Sequence, residues 1–333
     1  MPQPVPELSI VTTLYKSASY IREFYDRISA QAEIITHHYE IIFVDDGSPD
    51  DSLPRVLAIH RDDPRVKVIE LSRNFGHHKA VMTGLAHARG KYVFLIDSDL
   101  EEPPEMLTQF YEILSQTDAD VVFGVQKKRK GTLFEQVSGT LFYKVFNVLS
   151  PSKIPENVIT ARLMRRPYVE ALVSHKEREV CLAGLFSITG FKQVPVMVEK
   201  LDKGESIYTL QRRIDLAVRA ITSFSDKPLV LIFYLGSLIL LLSGTYLTYL
   251  VFRKLFFGIP LAGYTSLIVS IWFLGGLTIF AIGIIGVYLA RIYVEAKQRP
   301  YSVIRSIYSH DMDVQKGKAN PRNRRCESLN DDE

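Results

Sequence analysis

Two acidic clusters contain the residues best suited to chemistry. Asp45 and Asp46 lie in the first, and Asp97 and Asp99 lie in the second. Each cluster begins where a short run of Val, Ile, Leu and Phe ends, which is typical of the end of a strand. Residues two apart on a strand face the same way, so Asp97 and Asp99 can reach one site. Carboxylates of this kind suit Mg²⁺ or Mn²⁺, which would in turn bind substrate phosphates.

The simpler interpretation is a pair of acidic turns in which Asp residues cap helices. Taken singly, the Asp97-Ser98-Asp99 triplet favours that interpretation. The carboxyl ends of parallel strands meet at one edge of an open sheet, however, and ligands bind at that edge. Two acidic clusters at such ends therefore favour a functional site.

The elements that would position these carboxylates alternate between strand and helix. Five β-rich runs predict strands at Leu8–Leu14, Glu40–Val44, Val66–Leu71, Tyr92–Ile96 and Val121–Val125. Helical spacing of apolar residues predicts helices at Tyr20–Ala32, Asp51–His60, His77–His87 and Pro104–Gln116. Such alternation indicates an α/β domain with a mostly parallel sheet.

Composition excludes several classes of protein. With 333 residues and 47% hydrophobic content, the chain is not a disordered polymer. Its 40 basic and 37 acidic residues give a net charge of +3, so we expect no nucleic-acid partner. Two cysteines are too few for a disulfide framework. The polar, proline-rich start does not resemble a signal peptide, so the first domain is expected in the cytoplasm.

Apolar residues concentrate near the end of the chain. Pro228–Phe252 and Gly258–Ala290 contain no charged residue, and each exceeds the ~20 residues that a membrane-spanning helix needs. Arg253 and Lys254 would lie in the connection between the two spans. The tail from Arg291 carries more Lys and Arg than that connection, which predicts that both termini are cytoplasmic. The tail is polar from Ser309, and its end is expected to be disordered.

The predicted organisation therefore has four parts. Residues 1–206 form the α/β domain, residues 207–227 a basic amphipathic helix, residues 228–290 a transmembrane hairpin and residues 291–333 a basic tail. The amphipathic pattern favours a helix in the membrane interface, although a surface helix of the α/β domain would show the same pattern.

The motifs resemble a known family. The segments SIVTTLY (9–15), FVDDGSPDDS (43–52), LSRNFGHHKAVMTGL (71–85) and FLIDSDLEEPPE (94–105) are similar to those of GT-A, family 2 glycosyltransferases. The resemblance is greatest to membrane-anchored polyprenyl-phosphate enzymes such as GtrB, ArnC and dolichyl-phosphate mannose synthase. It extends from about Leu8 to Tyr301 and implies a GT-A domain, which is Rossmann-like, followed by an interfacial helix and two transmembrane helices.

The resemblance also implies roles for individual residues. Asp97 and Asp99 would be catalytic, and Asp99 would ligate Mg²⁺ or Mn²⁺. The nucleotide-sugar would contact Thr13, Tyr15, Asp45, Asp46, Arg73, Asn74 and Asp97. The lipid phosphate would contact Arg162, Lys200, Lys203, Ser206 and Tyr208.

His77, His78 and Lys79 open a predicted helix, where either phosphate binding or simple exposure is expected.

One departure concerns a possible catalytic base. Relatives commonly carry Asp-Phe-Arg-Leu, whereas this chain has Thr160-Ala161-Arg162-Leu163. Thr160 cannot act as a base at neutral pH, and Glu156 is the nearest carboxylate, so Glu156 is included among the catalytic residues. A lipid phosphate needs no base, because it is already ionised at pH 7.

The resemblance predicts an inverting transfer of sugar from a UDP- or GDP-sugar to undecaprenyl or dolichyl phosphate at the cytoplasmic membrane face. The expected partners are the nucleotide-sugar, the lipid phosphate, the membrane and further copies of the chain. Processive polysaccharide synthases resemble this domain but carry a QxxRW motif and more spans. This alternative is rejected, because the single tryptophan, Trp272, lies in the second span and not in the α/β domain. The remaining alternative is a non-catalytic partner of a flippase or glycan-assembly complex.

Overall fold

A computed structural model describes residues 5–126, 157–199, 227–257 and 263–310. These residues form two compact units. One contains residues 5–126, 157–199 and 300–310, and the other contains residues 227–257 and 263–299. The predicted amphipathic helix at 207–227 lies outside the described residues, apart from Lys227.

The first unit is an α/β domain. Its strands are β1 (Leu8–Leu14), β2 (Tyr39–Asp45), β3 (Val66–Leu71), β4 (Tyr92–Leu95), β5 (Val121–Gln126), β6 (Val158–Arg165), β7 (Gln193–Val198) and β8 (Ile304–Tyr308). Its helices are α1 (Ile21–Ile35), α2 (Ser52–Asp62), α3 (His77–His87), α4 (Met106–Gln116), α5 (Arg166–Ser174) and α6 (Leu182–Ile188). All five predicted strands and all four predicted helices are present, with shifts of a few residues at some ends.

The strands form one sheet in the order β7-β5-β6-β4-β1-β2-β3-β8. The four central strands β4, β1, β2 and β3 are parallel, while β6 and β8 run antiparallel to their neighbours. The register pairs Leu14 with Asp45 and Val11 with Leu95, so the central strands end near one another. The predicted mostly parallel α/β sheet is confirmed.

Both faces of this sheet are covered, which explains the nearly continuous apolar character of the central strands. Successive residues of a strand point to opposite faces. Ile10 and Phe43 therefore pack in one buried cluster with residues of α1 and α4. Val11 and Val44 pack in a second cluster with residues of α3 and α5. The core thus fixes the strand ends from both sides.

The second unit consists of two long apolar helices, α7 (Lys227–Phe257) and α8 (Tyr264–Ala296). Both are long and apolar enough to cross a membrane. Large apolar side chains on both are exposed, for example Trp272 at 79% and Phe233 at 69%, so neither is the core helix of a soluble domain. Arg253 and Lys254 lie within α7 and not in the connection, because the helix continues to Phe257.

The segment after α8 was expected to be a basic tail, but part of it is folded. Strand β8 pairs antiparallel with β3 and forms one edge of the sheet. Ser309 is buried, and the ring of His310 lies 4.5 Å from that of His60. The folded α/β domain therefore includes residues up to His310. The sequence pattern instead predicts a polar tail from Ser309.

Candidate active site

The central parallel strands bring the acidic clusters and the Arg73-Asn74 loop to one edge of the sheet. Strands β1, β2, β3 and β4 end at Leu14, Asp45, Leu71 and Leu95. The segments that follow contain Tyr15, Asp46, the Arg73-Asn74 pair and Asp97. Because the strands run in the same direction, these segments share the carboxyl edge of the sheet, as the sequence predicts.

His77 links two of these strand ends. Its Nδ1 atom is 3.1 Å from Thr13 Oγ1, and its Nε2 atom is 3.7 Å from Asp97 Oδ1. His77 is the first residue of α3, so its ring is held at the start of a helix. The Asp97 side chain is 26% exposed and remains accessible to a ligand. Thr13, His77 and Asp97 therefore form one polar group at the centre of the edge.

The loop that carries Asp97 and Asp99 is tied to its surroundings by its other residues. Ser98 Oγ donates to the Thr13 carbonyl at 2.9 Å, and Asp99 Oδ1 accepts from the Glu101 N–H at 3.0 Å. Leu100 has a φ of 63°, a left-handed conformation that turns the chain sharply. The loop that carries Asp97 and Asp99 is thus held in a tight turn.

The expected binding of a divalent ion by Asp97 and Asp99 stays a prediction. Among the described residues, no group of three or more His, Cys, Asp or Glu side chains could hold a metal by itself. Magnesium typically binds through one or two carboxylates and completes its shell with substrate phosphates and water. Asp97 and Asp99 provide the oxygen atoms that such an arrangement requires.

Asp46 anchors the loop after β3. Its Oδ1 accepts from the Phe75 N–H at 2.7 Å, and its Oδ2 accepts from the Gly76 N–H at 2.9 Å. Burial raises the pKa of Asp46, although these two hydrogen bonds oppose the rise. Both carboxylate oxygens therefore bind protein backbone in this structure. The expected contact of Asp46 with base or ribose stays a prediction.

Its neighbour Asp45 is equally buried, at 2% exposure. The carboxylate accepts from the Ser48 N–H at 3.4 Å, and burial raises its pKa. Gly47 follows with a φ of +63°, and a Cβ there would lie 2.6 Å from the carbonyl carbon of Arg73. The turn after β2 is thus packed directly against the backbone of the Arg73-Asn74 loop.

Arg73 and Asn74 themselves are exposed at this edge. The Arg73 guanidinium lies 4.1 Å from the centre of the Phe75 ring and donates to the Asn74 carbonyl at 3.1 Å. Tyr15, also exposed, follows β1. All three side chains are accessible to a ligand, as the expected donor contacts require.

Arg162 lies elsewhere, inside the domain on β6. It is 2% exposed, and its guanidinium carbon lies 3.2 Å from the centre of the Phe186 ring. Burial lowers the pKa of Arg162 to about 10. The side chain donates to the Thr160 carbonyl at 3.3 Å. Contact with a lipid phosphate would first require uncovering this guanidinium, and that contact stays a prediction.

Thr160, where the resemblance implies Asp, binds the acidic loop through its backbone. The Thr160 N–H donates to Glu102 Oε1 at 2.9 Å. Glu102 is buried, so this hydrogen bond fixes the far end of the Asp97–Glu102 loop to β6. The other expected site residues, Glu156, Lys200, Lys203, Ser206 and Tyr208, lie outside the described residues.

The sequence does not predict the supporting contacts of Ser98 and Glu102. It suggests phosphate binding or simple exposure for His77, but not its contacts with Thr13 and Asp97. The available signal was their position: all three lie within, or directly after, motifs that contain assigned residues. Their side chains act on groups that are distant in sequence, such as Thr13 and Thr160. These partners become neighbours only when the sheet brings distant segments together, and no local pattern of the sequence specifies that arrangement.

Comparison with known proteins gives consistent results. Residues 9–173 match the family described as Glycosyl transferase family 2. A Mycobacterium tuberculosis protein described as a glycosyltransferase is 52% identical over 305 residues, which cover 92% of this chain and 89% of that protein. The bactoprenol glucosyl transferase of Shigella phage SfV is 35% identical over 304 residues, covering 90% of this chain and 98% of that protein.

Among solved structures, glucosyl-3-phosphoglycerate synthase from Mycobacterium tuberculosis is similar, with a TM-score of 0.49 and 19% identity. The match covers 66% of this chain and 79% of that one. The sequence relatives, in contrast, extend over nearly the whole chain, beyond the α/β domain. The chain therefore belongs to glycosyl transferase family 2, as an enzyme with a GT-A catalytic domain and two helices apolar enough to span a membrane.

Proposed function

We propose that this enzyme transfers a sugar from a nucleotide-sugar to a polyprenyl phosphate at the cytoplasmic face of a membrane. The observation that carries the proposal is the match to a bactoprenol glucosyl transferase over 98% of that protein's length. A match of this extent includes the apolar helices as well as the catalytic domain. This coverage supports a polyprenyl phosphate as the acceptor, in addition to sugar transfer as the reaction.

The donor side of the proposal is supported by the edge formed by Thr13, Arg73, Asn74, His77 and Asp97. It offers a cationic side chain, hydrogen-bonding groups and accessible carboxylates at the carboxyl ends of parallel strands. Asp97 and Asp99 would hold Mg²⁺ or Mn²⁺, which when bound neutralises charge on a diphosphate leaving group. Arg73 would contribute further positive charge to the same oxygens.

The reaction we propose is a single displacement. An oxygen of the lipid phosphate attacks C1 of the sugar, the bond between C1 and the nucleoside diphosphate breaks, and the electron pair leaves with the diphosphate. The anomeric centre is inverted, because attack and departure occur on opposite sides. The phosphate carries ≈ −1.5 to −2 charge at pH 7, so its attack requires no removal of a proton. Thr160 is then compatible with catalysis.

The acceptor side is supported by α7 and α8. A polyprenyl chain stays in the bilayer, and an enzyme anchored by two apolar helices meets its phosphate at the surface. Residue 199 and strand β8 belong to the same α/β unit. If the chain crosses the membrane between them, it crosses an even number of times. A hairpin of two spans, with the catalytic domain and both termini cytoplasmic, satisfies this condition.

The decisive experiment supplies the purified enzyme with labelled UDP-glucose, UDP-GlcNAc, UDP-galactose or GDP-mannose. Each donor is tested with undecaprenyl phosphate, with dolichyl phosphate and with a polyprenol that lacks phosphate. We expect label to enter a lipid with one donor, and only when the lipid carries phosphate. Asp99→Asn serves as the inactive control, since it removes a carboxylate of the proposed metal pair.

Two results would contradict the proposal. Efficient glycosylation of the free alcohol would show that the acceptor need not be ionised. Absence of transfer with every donor, by an enzyme that binds nucleotide normally, would indicate a different acceptor or a non-catalytic role.

A further inference from the structure

Strand β8 contacts more than β3, the strand with which it pairs. The register joins Glu70 to Ser306 and Leu71 to Ile304, so Arg305 is the extra residue of a β-bulge. Bulges bend the strand and redirect a side chain, and they are frequent next to active sites. Here the bulge lies opposite the last residues of β3, immediately before the Arg73-Asn74 loop.

Arg305 reaches past the end of β3. Its Nη1 donates to Glu70 Oε1 at 3.0 Å, and its Nη2 donates to the Ser72 carbonyl at 3.1 Å. The Ser72 N–H in turn donates to the Val303 carbonyl at 2.9 Å. Both backbone polar groups of Ser72 are therefore held by the segment that follows α8.

The Arg73-Asn74 loop consequently has two anchors. Asp46 holds its far end through the N–H groups of Phe75 and Gly76. Val303 and Arg305 hold its near end through Ser72. Arg73 and Asn74 lie between the anchors, with their side chains exposed.

Covering the sheet edge does not by itself explain these contacts. An edge strand needs only main-chain pairing to be protected from other chains, and β8 supplies that along β3. The Arg305 contact with Ser72 lies beyond the paired residues. Its carboxylate partner Glu70 is buried, and the other carboxylate oxygen of Glu70, Oε2, accepts from the Tyr308 hydroxyl at 3.0 Å.

We propose that the strand after the second apolar helix completes the donor site, with Arg305 as a positioning residue for the Arg73-Asn74 loop. The inference rests on the proposed function, because it takes that loop to contact the nucleotide-sugar. It assigns to the segment after α8 a role in donor binding in addition to membrane topology. Arg305 acts only through Ser72 and touches no reacting atom.

The test measures binding of UDP and of GDP to the full-length protein in detergent, together with donor KM and kcat. Arg305→Ala removes a charge-assisted hydrogen bond to the loop, and we expect nucleotide Kd and donor KM to rise about tenfold. We expect kcat at saturating donor to change by less than about threefold, since the reacting groups are untouched. An enzyme that is only less stable would not combine a raised donor KM with a nearly unchanged kcat.

Tyr308→Phe is the matched control. It removes a hydrogen bond to the same buried Glu70 from the same strand, but leaves both contacts with Ser72 in place. We expect it to lower stability while nucleotide Kd stays unchanged. Arg305→Lys keeps a positive charge near Glu70, but a single ammonium lacks the fork that reaches Glu70 and Ser72 together. We expect an intermediate Kd, and this variant decides the question if Arg305→Ala fails to fold.

The outcomes separate the two proposals. A wild-type protein that binds neither nucleotide overturns the proposed function and this inference with it. Wild-type nucleotide affinity in folded Arg305→Ala or Arg305→Lys overturns the inference alone. An equal rise of Kd in Tyr308→Phe and Arg305→Ala also overturns it, because the effect would then follow stability and not the Ser72 contacts.

Discussion

His77 Nε2 lies 3.7 Å from Asp97 Oδ1, across the gap between the start of α3 and the end of β4. The other ring nitrogen lies 3.1 Å from Thr13 Oγ1. A single side chain therefore connects the ends of two neighbouring strands at the candidate active site. This contact sets the orientation of the His77 ring and places it beside a carboxylate with a proposed catalytic role.

Replacing His77 should impair transfer without unfolding the domain. The hydrogen bond between His77 and the Thr13 hydroxyl is of a kind that contributes ~0.5–1.5 kcal/mol, so His77→Ala should lower kcat/KM by about two- to tenfold. His37→Ala is the control, because His37 is exposed in a loop away from the strand ends. Steady-state kinetics with varied donor would measure both. Equal kcat/KM in His77→Ala and wild type would show that His77 is only an exposed residue at the start of α3, with no role in transfer.

Asp99 should be essential for metal-dependent transfer. Asp99→Asn removes a carboxylate charge from the proposed metal pair, and loss of such electrostatic stabilisation typically costs ~10²–10³-fold in rate. We expect EDTA to stop the wild-type reaction, Mn²⁺ to restore it, and Mn²⁺ not to rescue Asp99→Asn fully. Asp118→Asn, at a fully exposed carboxylate, is the control. Near-normal activity of Asp99→Asn with unchanged metal dependence would leave Asp99 a role in the turn only.

Gly47 and Gly190 allow the effect of backbone strain to be compared with the effect of a clash against the Arg73-Asn74 loop. Both have positive φ, so alanine at either position should cost about 1–2 kcal/mol of stability. Only at Gly47 would the new Cβ meet the Arg73 backbone, whereas Gly190 has nothing within 4 Å. We expect Gly47→Ala to lose more stability than Gly190→Ala, because its Cβ would lie 2.6 Å from backbone atoms, and we expect only Gly47→Ala to lose nucleotide affinity as well. Titration with UDP and GDP would detect the difference, and equal affinities would count against contact between the Arg73-Asn74 loop and the donor.

Asp63 should make stability dependent on pH. Burial alone would raise its pKa, but hydrogen bonds from Arg65 and Tyr25 outweigh burial and lower the pKa below its usual value. The stabilisation is therefore complete above the unfolded pKa of about 4 and is lost as pH falls through the lower folded value. Asp63→Asn should reduce the unfolding free energy by about 1–3 kcal/mol near pH 7.

The difference between Asp63→Asn and wild type should begin to shrink below about pH 4, where Asp63 of the unfolded chain becomes protonated, and should be smallest below the lower folded pKa. Denaturation of the full-length protein in detergent, followed by circular dichroism, would measure it. The exposed neighbour Asp62 provides the control variant Asp62→Asn. A difference of constant size from pH 7 to pH 3 would contradict the assigned pKa direction.

The hairpin topology predicts labelling from opposite sides of the membrane. In a background with Cys181 and Cys326 replaced by serine, single cysteines would be placed at Gly258 and at Val303. Gly258 lies between the two apolar helices, and Val303 is exposed beside the α/β sheet. An impermeant thiol reagent applied to intact cells should label only Gly258→Cys. Labelling of both from one side would exclude a two-span hairpin.

The sequence by itself determined the central part of the fold. Leu8–Leu14 and Val66–Leu71 have the same ends in the prediction and in the structure, because both are short runs rich in Val, Ile and Leu, as buried strands are. The acidic clusters were also located from sequence, since each comes directly after such a run. The two apolar helices followed from length and the absence of charge.

Only the tertiary structure decided which distant groups meet at the site. Strand β8 is five residues of mixed polarity after a long apolar helix, and local pattern carries no information about its partner β3. Asp46 binds the backbone of Phe75 and Gly76, and Arg305 binds Ser72, 233 positions away in the chain. The positions of these partners depend on the order of strands in the sheet. That order results from packing both faces of the whole sheet at once, which no local segment of the sequence specifies.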